Sequence, residues 1–395
     1  MPELLRLLLI VLTAVTAIPA AAEAAVRAAN LSVCRTAPVA GVPPSRLWAL
    51  ARGFNLPGWL EGPAVRRPDM RALAQLFSRG FTHIRLPVAP EGLLAEFSSP
   101  EDVARKLAEL DLAVDSLAGT GFAVSIDMHP GGRFGRLQAS EPERAFALAE
   151  RLWRLLARRY ADRAPERVLF EIMNEPAAKP AIWNEQAPRL VAAIRREARD
   201  HTIIYDHANY QRIDALPAAA PVADMNVVYA AHFYDPMIFT HQGLDWSEDP
   251  LRYLHQVPFP TRLTDPGVVR LMGELTLEGH GESIAAIRAA LGEPWTEARI
   301  NDAMGQAASW AQRHGRPVII NEFGALRWRT DPRDRARWLT AVRQAAEHNC
   351  LGWAHWDYVD GFGFADRVGD REIPDEMVLQ ALLGGATARS AAPAR

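Results

Sequence analysis

Two glutamates, each at the end of a predicted buried strand, are the residues of this sequence best placed to do chemistry. Glu175 lies in the segment VLFEIMNEP at 168–176, and Glu322 lies in VIINEFG at 318–324. Each segment is an apolar strand that stops at an Asn-Glu pair. A carboxylate at the end of a buried strand costs free energy unless it is paired or functional. Two such carboxylates indicate a reaction that needs two carboxyl groups, and glycoside hydrolysis is the leading example.

The elements that must position these glutamates alternate between strand and helix along the chain. Helix signals include Asp69 as an N-cap with Gly80 as the stop, and Ser99 followed by Pro100. Because strict alternation argues for a parallel sheet, eight units favour an α/β fold, a (β/α)8 TIM barrel in a single domain. The predicted strands are 50–55, 82–88, 122–129, 168–175, 202–205, 227–232, 318–322 and 352–356.

One stretch, 237–294, is far longer than an ordinary connection between a strand and a helix. It follows the sixth predicted strand, and long loops after barrel strands lie on the active-site face. We therefore expect a long loop insertion that shapes a substrate cleft. The alternative is a loop whose aromatic residues form a small core of its own. The aromatic residues in or beside it are Phe239, Trp246, Tyr253, Phe259 and Trp295.

Alternation of side chains along each strand predicts which residues face the barrel axis. In the second and third strands the apolar residues should face the helices, which leaves Arg85 and His129 on the axis near their strand ends. The same count puts Glu322 on the side of Val318. Asp127 and Glu171 also face the axis, but lower on their strands, and we interpret them as core groups with hydrogen-bond partners.

The ordered set of strand-end motifs resembles glycoside hydrolase family 5, the family that contains many cellulases, within the clan of retaining (β/α)8 glycosidases. The likeness runs from about Arg52 to Asp360, and each motif lies at the end of the expected strand. The matching pieces are RGFN at 52–55, HIRLP at 83–87, DMH at 127–129, NEP at 174–176, HFY at 232–234, NEFG at 321–324 and GWAHW at 352–356.

The resemblance implies roles for the residues around the two carboxyl groups. Glu175 would be the general acid/base and Glu322 the nucleophile. Asn174 would hydrogen-bond the sugar 2-hydroxyl. Arg85 and Tyr234 would flank the nucleophile and hold it ionised and oriented.

The resemblance also implies a sugar-binding surface. His129 and His232 would line the subsite that holds the reacting sugar, and Trp356 would be the floor on which that sugar stacks. Trp59 and Trp183 also follow strand ends and are candidates for extra sugar platforms.

The composition and the two ends of the chain indicate the expected partners, location and domain limits of the protein. The net charge of −3 gives no electrostatic case for nucleic acid or an anionic membrane. Residues 1–24 are predicted to be a signal peptide, with an uncleaved membrane anchor as the alternative. The expected location is secreted or periplasmic. The hydrolase domain would span 25–390, and 385–395 would be a disordered tail.

Three alternatives stay open. A metal-dependent barrel hydrolase could gather His129, His207, His232 and His355, although the first strand lacks the His-x-His that such enzymes usually carry. A non-catalytic sugar-binding barrel is the second, and it would normally lack one of the two glutamates. If the protein is an enzyme, β-1,4-glucan is the first choice of substrate, and mannan, β-1,3-glucan, a glycolipid or a bacterial exopolysaccharide are alternatives. No metal or cofactor is expected, and the protein should be a monomer that binds an oligo- or polysaccharide.

The two cysteines, Cys34 and Cys350, are predicted to form a disulfide. Cys350 precedes the eighth strand and Cys34 precedes the first, and these strands are neighbours in a closed barrel. A bridge would therefore tie the leading segment to the N-terminal end of the barrel. Thiol titration of the unfolded, unreduced mature protein should detect no free thiol, and two free thiols would refute the bridge.

Overall fold

The computed structural model describes residues 41–62 and 65–384 of the 395-residue chain. Eight parallel strands form a closed barrel, in which each strand pairs with its sequence neighbours and the first pairs with the last. The predicted single-domain (β/α)8 fold is confirmed. The strands are β1 (Arg52–Asn55), β2 (His83–Val88), β3 (Ala123–Met128), β4 (Val168–Glu171), β5 (Ile203–Asp206), β6 (Val227–His232), β7 (Val318–Glu322) and β8 (Gly352–His355), and a separate hairpin pairs β9 (Ala365–Val368) with β10 (Arg371–Pro374).

Helices surround the barrel, and some of them begin at a residue whose side chain caps the first turn. The Asp69 carboxylate accepts from the backbone N–H of Arg71, and Gly80 ends that helix with a left-handed φ of 115°. Ser99 and Gly121 play the same parts at the ends of the next long helix. The helices are α1 (Pro44–Ala49), α2 (Met70–Arg79), α3 (Pro100–Thr120), α4 (Gly132–Ser140), α5 (Pro142–Tyr160), α6 (Pro180–Glu197), α7 (Met237–Thr240), α8 (Pro266–Glu278), α9 (Gly281–Ala290), α10 (Glu297–His314), α11 (Pro332–His348) and α12 (Glu376–Leu383).

The crossover between β5 and β6 departs from strict alternation. It holds a 3-10 segment, Ile213–Ala218, where an α-helix was expected. Pro217 lies inside this segment and has no N–H to donate, so a longer helix could not propagate through it. Helix α10 packs over the segment, and the Trp310 indole N–H donates to the carbonyl of Ala219 at 3.0 Å.

The segment 237–294 is a folded helical insertion whose buried residues join the main hydrophobic core. It contains α7, a 3-10 turn (Pro250–Tyr253), α8 and α9, and an antiparallel bridge between Thr261 and Trp295 closes its end. Phe239 and Phe259 are fully buried, which agrees with the alternative that the aromatic residues pack on one another. Trp246 is different, because 55% of its surface is exposed.

The barrel interior is apolar at the N-terminal ends of the strands and polar at the C-terminal ends. Leu169 and Ile319 belong to an inner apolar cluster that Val42 and Leu50 close from below. Above this cluster lies Arg85, which is completely buried. The charged part of the interior is therefore the end at which a barrel carries its active site.

Strand β7 has one extra residue relative to β6, the strand with which it pairs. Val318 packs in the outer core and Ile319 in the inner cluster, so the predicted parity is wrong for the body of this strand. The register between β6 and β7 then shifts, so that His232 pairs with Glu322. Asn321 is the extra residue of this bulge, which returns the Glu322 side chain to the axis.

Several predicted features fall outside the described residues. These are the signal peptide at 1–24, the tail at 385–395 and Cys34. Cys350 is disulfide-bonded in the structure, and its pairing with Cys34 remains a prediction. Within 41–62 and 65–384, no helix is both long and apolar enough to cross a membrane.

Candidate active site

All eight predicted site residues converge at the C-terminal end of the barrel. A cleft of about 770 Å³ opens there, and it exposes parts of both glutamates. Loops after β1, β7 and β8 and the start of the insertion form its walls. The lining residues are Pro57, Gly58, Glu61, Gly62, Arg66, His129, Asn174, Glu175, Tyr234, His241, Trp246, Glu322, Leu326, Trp328, Trp356, Asp357, Asp360, Gly361 and Phe362.

Arg85 lies at the base of the cleft and holds three carboxylates. Its guanidinium is 2.9 Å from Asp127, 2.7 Å from Glu171 and 2.5 Å from Glu322. Burial alone would lower the pKa of Arg85, but the three carboxylates keep it well above its usual value. Burial raises the pKa of Glu171 to about 7 against the attraction of the guanidinium. The predicted roles of Asp127 and Glu171 as paired core groups agree with these contacts.

Amide side chains complete the coordination of the guanidinium. Arg85 donates to the side-chain oxygens of Asn55 and Asn174, both at 2.9 Å. Asn55 in turn donates to the carbonyl of Asn321 at 2.9 Å, and Asn321 donates to Glu171 at 2.8 Å. Each buried donor of the guanidinium therefore has a partner, as a buried cation requires.

Glu322 is held by groups from β2 and β6 and from the segment that follows β6. In addition to Arg85, the Tyr234 hydroxyl donates to its second oxygen at 3.0 Å, and the His232 Nδ1 lies 3.5 Å from that oxygen. Only 6% of the side chain is exposed. The carboxylate therefore has a fixed position in which one oxygen faces a cation.

Glu175 lies in the turn after β4, opposite Glu322 across the cleft. Its Oε1 is 3.0 Å from the Nδ1 of His232. One carboxyl oxygen of each glutamate and a ring nitrogen of His232 all lie within 4.8 Å of one another. Burial raises the pKa of Glu175, although 40% of the side chain is exposed to the cleft. Burial also lowers the pKa of His232 to about 4, so this ring is neutral at pH 7.

His129 and Trp356 form one flank of the site. Their rings stack with centroids 5.6 Å apart, and His129 Nδ1 is 2.7 Å from Asp127 while its Nε2 is 3.3 Å from the amide of Asn174. Burial by itself would lower the pKa of His129, but the charge of Asp127 outweighs it and raises the pKa to about 9. His129 is therefore a cation at neutral pH.

A second part of the cleft is an aromatic wall that sequence analysis predicted only in part. Tyr234 contacts Phe362, with ring centroids 5.9 Å apart, and Trp246 lies 6.2 Å from Phe362 and 6.4 Å from Trp328. Trp246 comes from the insertion, as expected. Phe362 and Trp328 were missed, although both follow strand ends on the cleft face and could have been sought there.

Other candidates do not reach the cleft. Trp59 and Trp183 were possible sugar platforms, but both are buried, and their indole N–H groups bond Glu109 and the carbonyl of Asp206. An indole ring is apolar apart from its N–H group. Because each N–H has a hydrogen-bond partner within the protein, both rings can be buried.

The four histidines of the metal-dependent alternative do not gather. Within the described residues, the group close enough to share a metal ion is Glu175, His232 and Glu322. His207 and His355 instead lie beside backbone carbonyls at 2.9 and 3.0 Å. In the described residues these four histidines therefore do not form one ligand set.

The chain is similar to known proteins over most of the barrel. Residues 50–359 match the family model Cellulase (glycosyl hydrolase family 5). Endoglucanase 3 of Fibrobacter succinogenes is 28% identical over 337 residues, which cover 79% of this chain and 50% of that protein. The chain thus spans half the length of this curated relative.

The chain is also similar to solved structures over most of its length. The structure of Thermotoga maritima Cel5A in complex with cellobiose has 25% identity and a TM-score of 0.68, and the match covers 86% of this chain and 100% of that one. The same protein in complex with mannotriose has 26% identity and a TM-score of 0.67, with the same coverage.

The raised pKa of His129 predicts a pH dependence of stability. A histidine that titrates at about 9 when folded and at 6.5 when unfolded stabilises the fold fully below pH 6.5, and this contribution is lost as pH rises to about 9. The expected loss is on the order of 3 kcal/mol. Urea unfolding at pH 6 to 9 should show this fall in the wild type but not in His129→Gln. Parallel curves for the two proteins would contradict the Asp127–His129 ion pair.

Proposed function

This chain belongs to the cellulase family, glycosyl hydrolase family 5, and on that premise we propose that it hydrolyses β-1,4-glucan chains with retention of anomeric configuration. The observation that carries the proposal is the pair Glu175 and Glu322, whose carboxyl oxygens approach within 4.8 Å in an open cleft. Retaining enzymes place their carboxyl groups ~5–5.5 Å apart, whereas inverting enzymes need ~6.5–9.5 Å to admit a water.

Glu322 is the proposed nucleophile. Its contacts with Arg85 and the Tyr234 hydroxyl fix the position of the carboxylate and its direction of attack. When Glu322 attacks the anomeric carbon, the bond to the leaving oxygen breaks and a covalent glycosyl-enzyme forms. Its charge is consumed in that bond, which leaves Arg85 with the carboxylates of Asp127 and Glu171.

Glu175 is the proposed acid/base. Its raised pKa keeps a proton available for the leaving oxygen, and its partly exposed side chain can meet both the sugar and water. After the leaving group departs, Glu175 is a carboxylate and removes a proton from the water that attacks the glycosyl-enzyme. The neutral ring of His232 touches the carboxyl group without adding a charge.

The remaining site residues fit the binding of a sugar ring. Sugars present apolar C–H faces, for which the Trp356 ring offers a floor. The Asn174 amide is fixed by Arg85 and lies beside His129, where it can bond a hydroxyl of the reacting sugar. The exposed indoles of Trp246 and Trp328 extend the apolar surface beyond that sugar, which favours an oligo- or polysaccharide over a monosaccharide.

We propose β-1,4-glucan as the substrate because the matching family model is named Cellulase and a similar protein is named Endoglucanase 3. Mannan is the second candidate, since the Cel5A structure with mannotriose holds that sugar as a substrate. Export to the periplasm or medium, with removal of 1–24, and a monomeric state complete the proposal, and they rest on the sequence alone.

Replacing either glutamate should nearly abolish hydrolysis. We expect Glu175→Gln and Glu322→Gln each to lower kcat by roughly 10²–10⁴-fold or more, because proton transfer or covalent attack is lost. The exposed Glu185→Gln is a matched control that should keep full activity. Azide should partly rescue Glu175→Ala on an aryl glycoside, whose leaving group needs no acid. Near wild-type turnover in either active-site Gln variant would refute the assignment.

The two-carboxylate geometry predicts the stereochemistry. NMR of a cellotetraose digest should detect the β-anomer of the new reducing end first, before mutarotation. An α-anomer as the first product would rule out double displacement and leave the fold assignment intact.

A panel of defined β-glycans tests the substrate. The highest kcat/KM should be found with β-1,4-glucan, because the matching family model is named Cellulase and the similar protein is named Endoglucanase 3. Higher kcat/KM on β-1,4-mannan or β-1,3-glucan would replace the substrate without altering the roles of Glu175 and Glu322.

A further inference from the structure

The turn that carries Glu175 is anchored through nearly every backbone N–H. Ile172 donates to β5 and Asn174 donates to β3, at 3.1 and 2.9 Å. Between and after these, Met173 and Glu175 donate to side chains instead. The position of the Glu175 backbone therefore depends on two particular side chains from outside its own segment.

Glu175 also has a backbone conformation that a glutamate rarely adopts. Its φ is +40°, in the left-handed region. Such a conformation costs free energy and persists only when the surroundings impose it. The partner of its N–H is thus a candidate for the group that imposes it.

That partner is Gln211, a fully buried residue of the loop after β5. Its Oε1 accepts from the N–H of Glu175 at 2.8 Å, and its Nε2 donates to Asp206 at 2.7 Å. The other oxygen of Asp206, which is also fully buried, accepts from the N–H of Met173 at 2.7 Å. Asp206 and Gln211 together form a clamp, which we call the Asp206–Gln211 clamp, on two residues of the turn.

The backbone of Gln211 reaches the other side of the acid/base group. Its carbonyl accepts from the N–H of His232 at 2.7 Å. His232 is the residue whose ring contacts the carboxyl group of Glu175 at 3.0 Å. Gln211 therefore fixes the backbone of Glu175 and also the backbone of His232, whose ring contacts the Glu175 carboxyl group.

We propose that Gln211, supported by Asp206, is a positioning residue for the proton-transfer step. It holds Glu175 in the left-handed conformation that directs the carboxyl group into the cleft, and its own side chain is buried and does not line the cleft. This inference rests on the proposed role of Glu175 as acid/base. Sequence analysis did not predict it, because no motif marks Gln211.

The test compares two substrates that differ in their need for acid. Cellotetraose has a poor leaving group that must be protonated, whereas 2,4-dinitrophenyl β-cellobioside needs no acid for the first step. Gln211→Met keeps the length of the side chain and removes both hydrogen bonds. We expect kcat/KM to fall roughly 10²-fold on cellotetraose and to stay at the wild-type value on the aryl glycoside. An equal loss on both substrates, or no loss on cellotetraose, would overturn the proposal.

A conservative variant supplies a second signature. A protonated glutamate at position 211 offers an O–H donor in place of the amide N–H and keeps the carbonyl acceptor. Gln211→Glu should therefore approach wild-type kcat/KM on cellotetraose at acid pH and fall below it as pH rises. This readout stands even if Gln211→Met fails to fold. An unchanged ratio to wild type across pH would count against the clamp.

Gln138 provides the matched control. It is a buried glutamine on the opposite side of the same turn, where it accepts from the N–H of Ala177 at 2.8 Å and donates to the Met173 sulfur. Gln138→Met should lower stability but leave the ratio of the two kcat/KM values unchanged. Glu175→Gln separates the two hypotheses: if it keeps activity on cellotetraose, the proposed function fails. If it loses activity while Gln211→Met does not, only the positioning role fails.

Discussion

The guanidinium of Arg85 is the interaction on which the interior of this barrel depends. Three carboxylates, those of Asp127, Glu171 and Glu322, are nearly or fully removed from water within ion-pair distance of it. An unpaired buried carboxylate would be severely destabilising, and loss of one partner from a buried pair typically costs about 3–5 kcal/mol. The same ion cluster that makes burial tolerable also fixes the proposed nucleophile, so stability and reactivity share one residue here.

The ion cluster has more negative than positive charge, and neighbouring groups of the site compensate for the difference. Three carboxylates face one guanidinium, and two further observations account for the difference. His129 is a cation because Asp127 stabilises its charge, and burial raises the pKa of Glu171 to about 7, so it carries a proton part of the time near neutrality. The neutral His232 then separates this charged interior from Glu175. Burial raises the pKa of Glu175 while Glu322 faces the guanidinium, and the proposed mechanism uses this difference between the two carboxyl groups.

Sequence reasoning found the eight strands and the residues at their ends, because alternation and buried polar residues are local signals. It could not place Glu322 by parity, since the bulge at Asn321 arises from pairing with β6 and has no signature within β7. Trp59 was misjudged for a related reason, because its partner, Glu109, is distant in sequence. Gln211 was missed because its role comes from a left-handed loop and a hydrogen bond to a turn on another strand.

The insertion after β6 has a consequence for how this barrel can diversify. It is a folded unit with buried aromatic residues, and the Thr261–Trp295 bridge closes it where the chain leads into α10. It sends Trp246 to the cleft wall but supplies none of the contacts of Arg85. Changes at Trp246 can therefore alter which glycan chains fit without removing a contact of the guanidinium, whereas the start of the insertion, which bonds the Tyr234 carbonyl through Thr240, is tied to the site. Part of the cleft wall is therefore encoded on a stretch of the polypeptide separate from the proposed catalytic groups, and that part can change at its own rate.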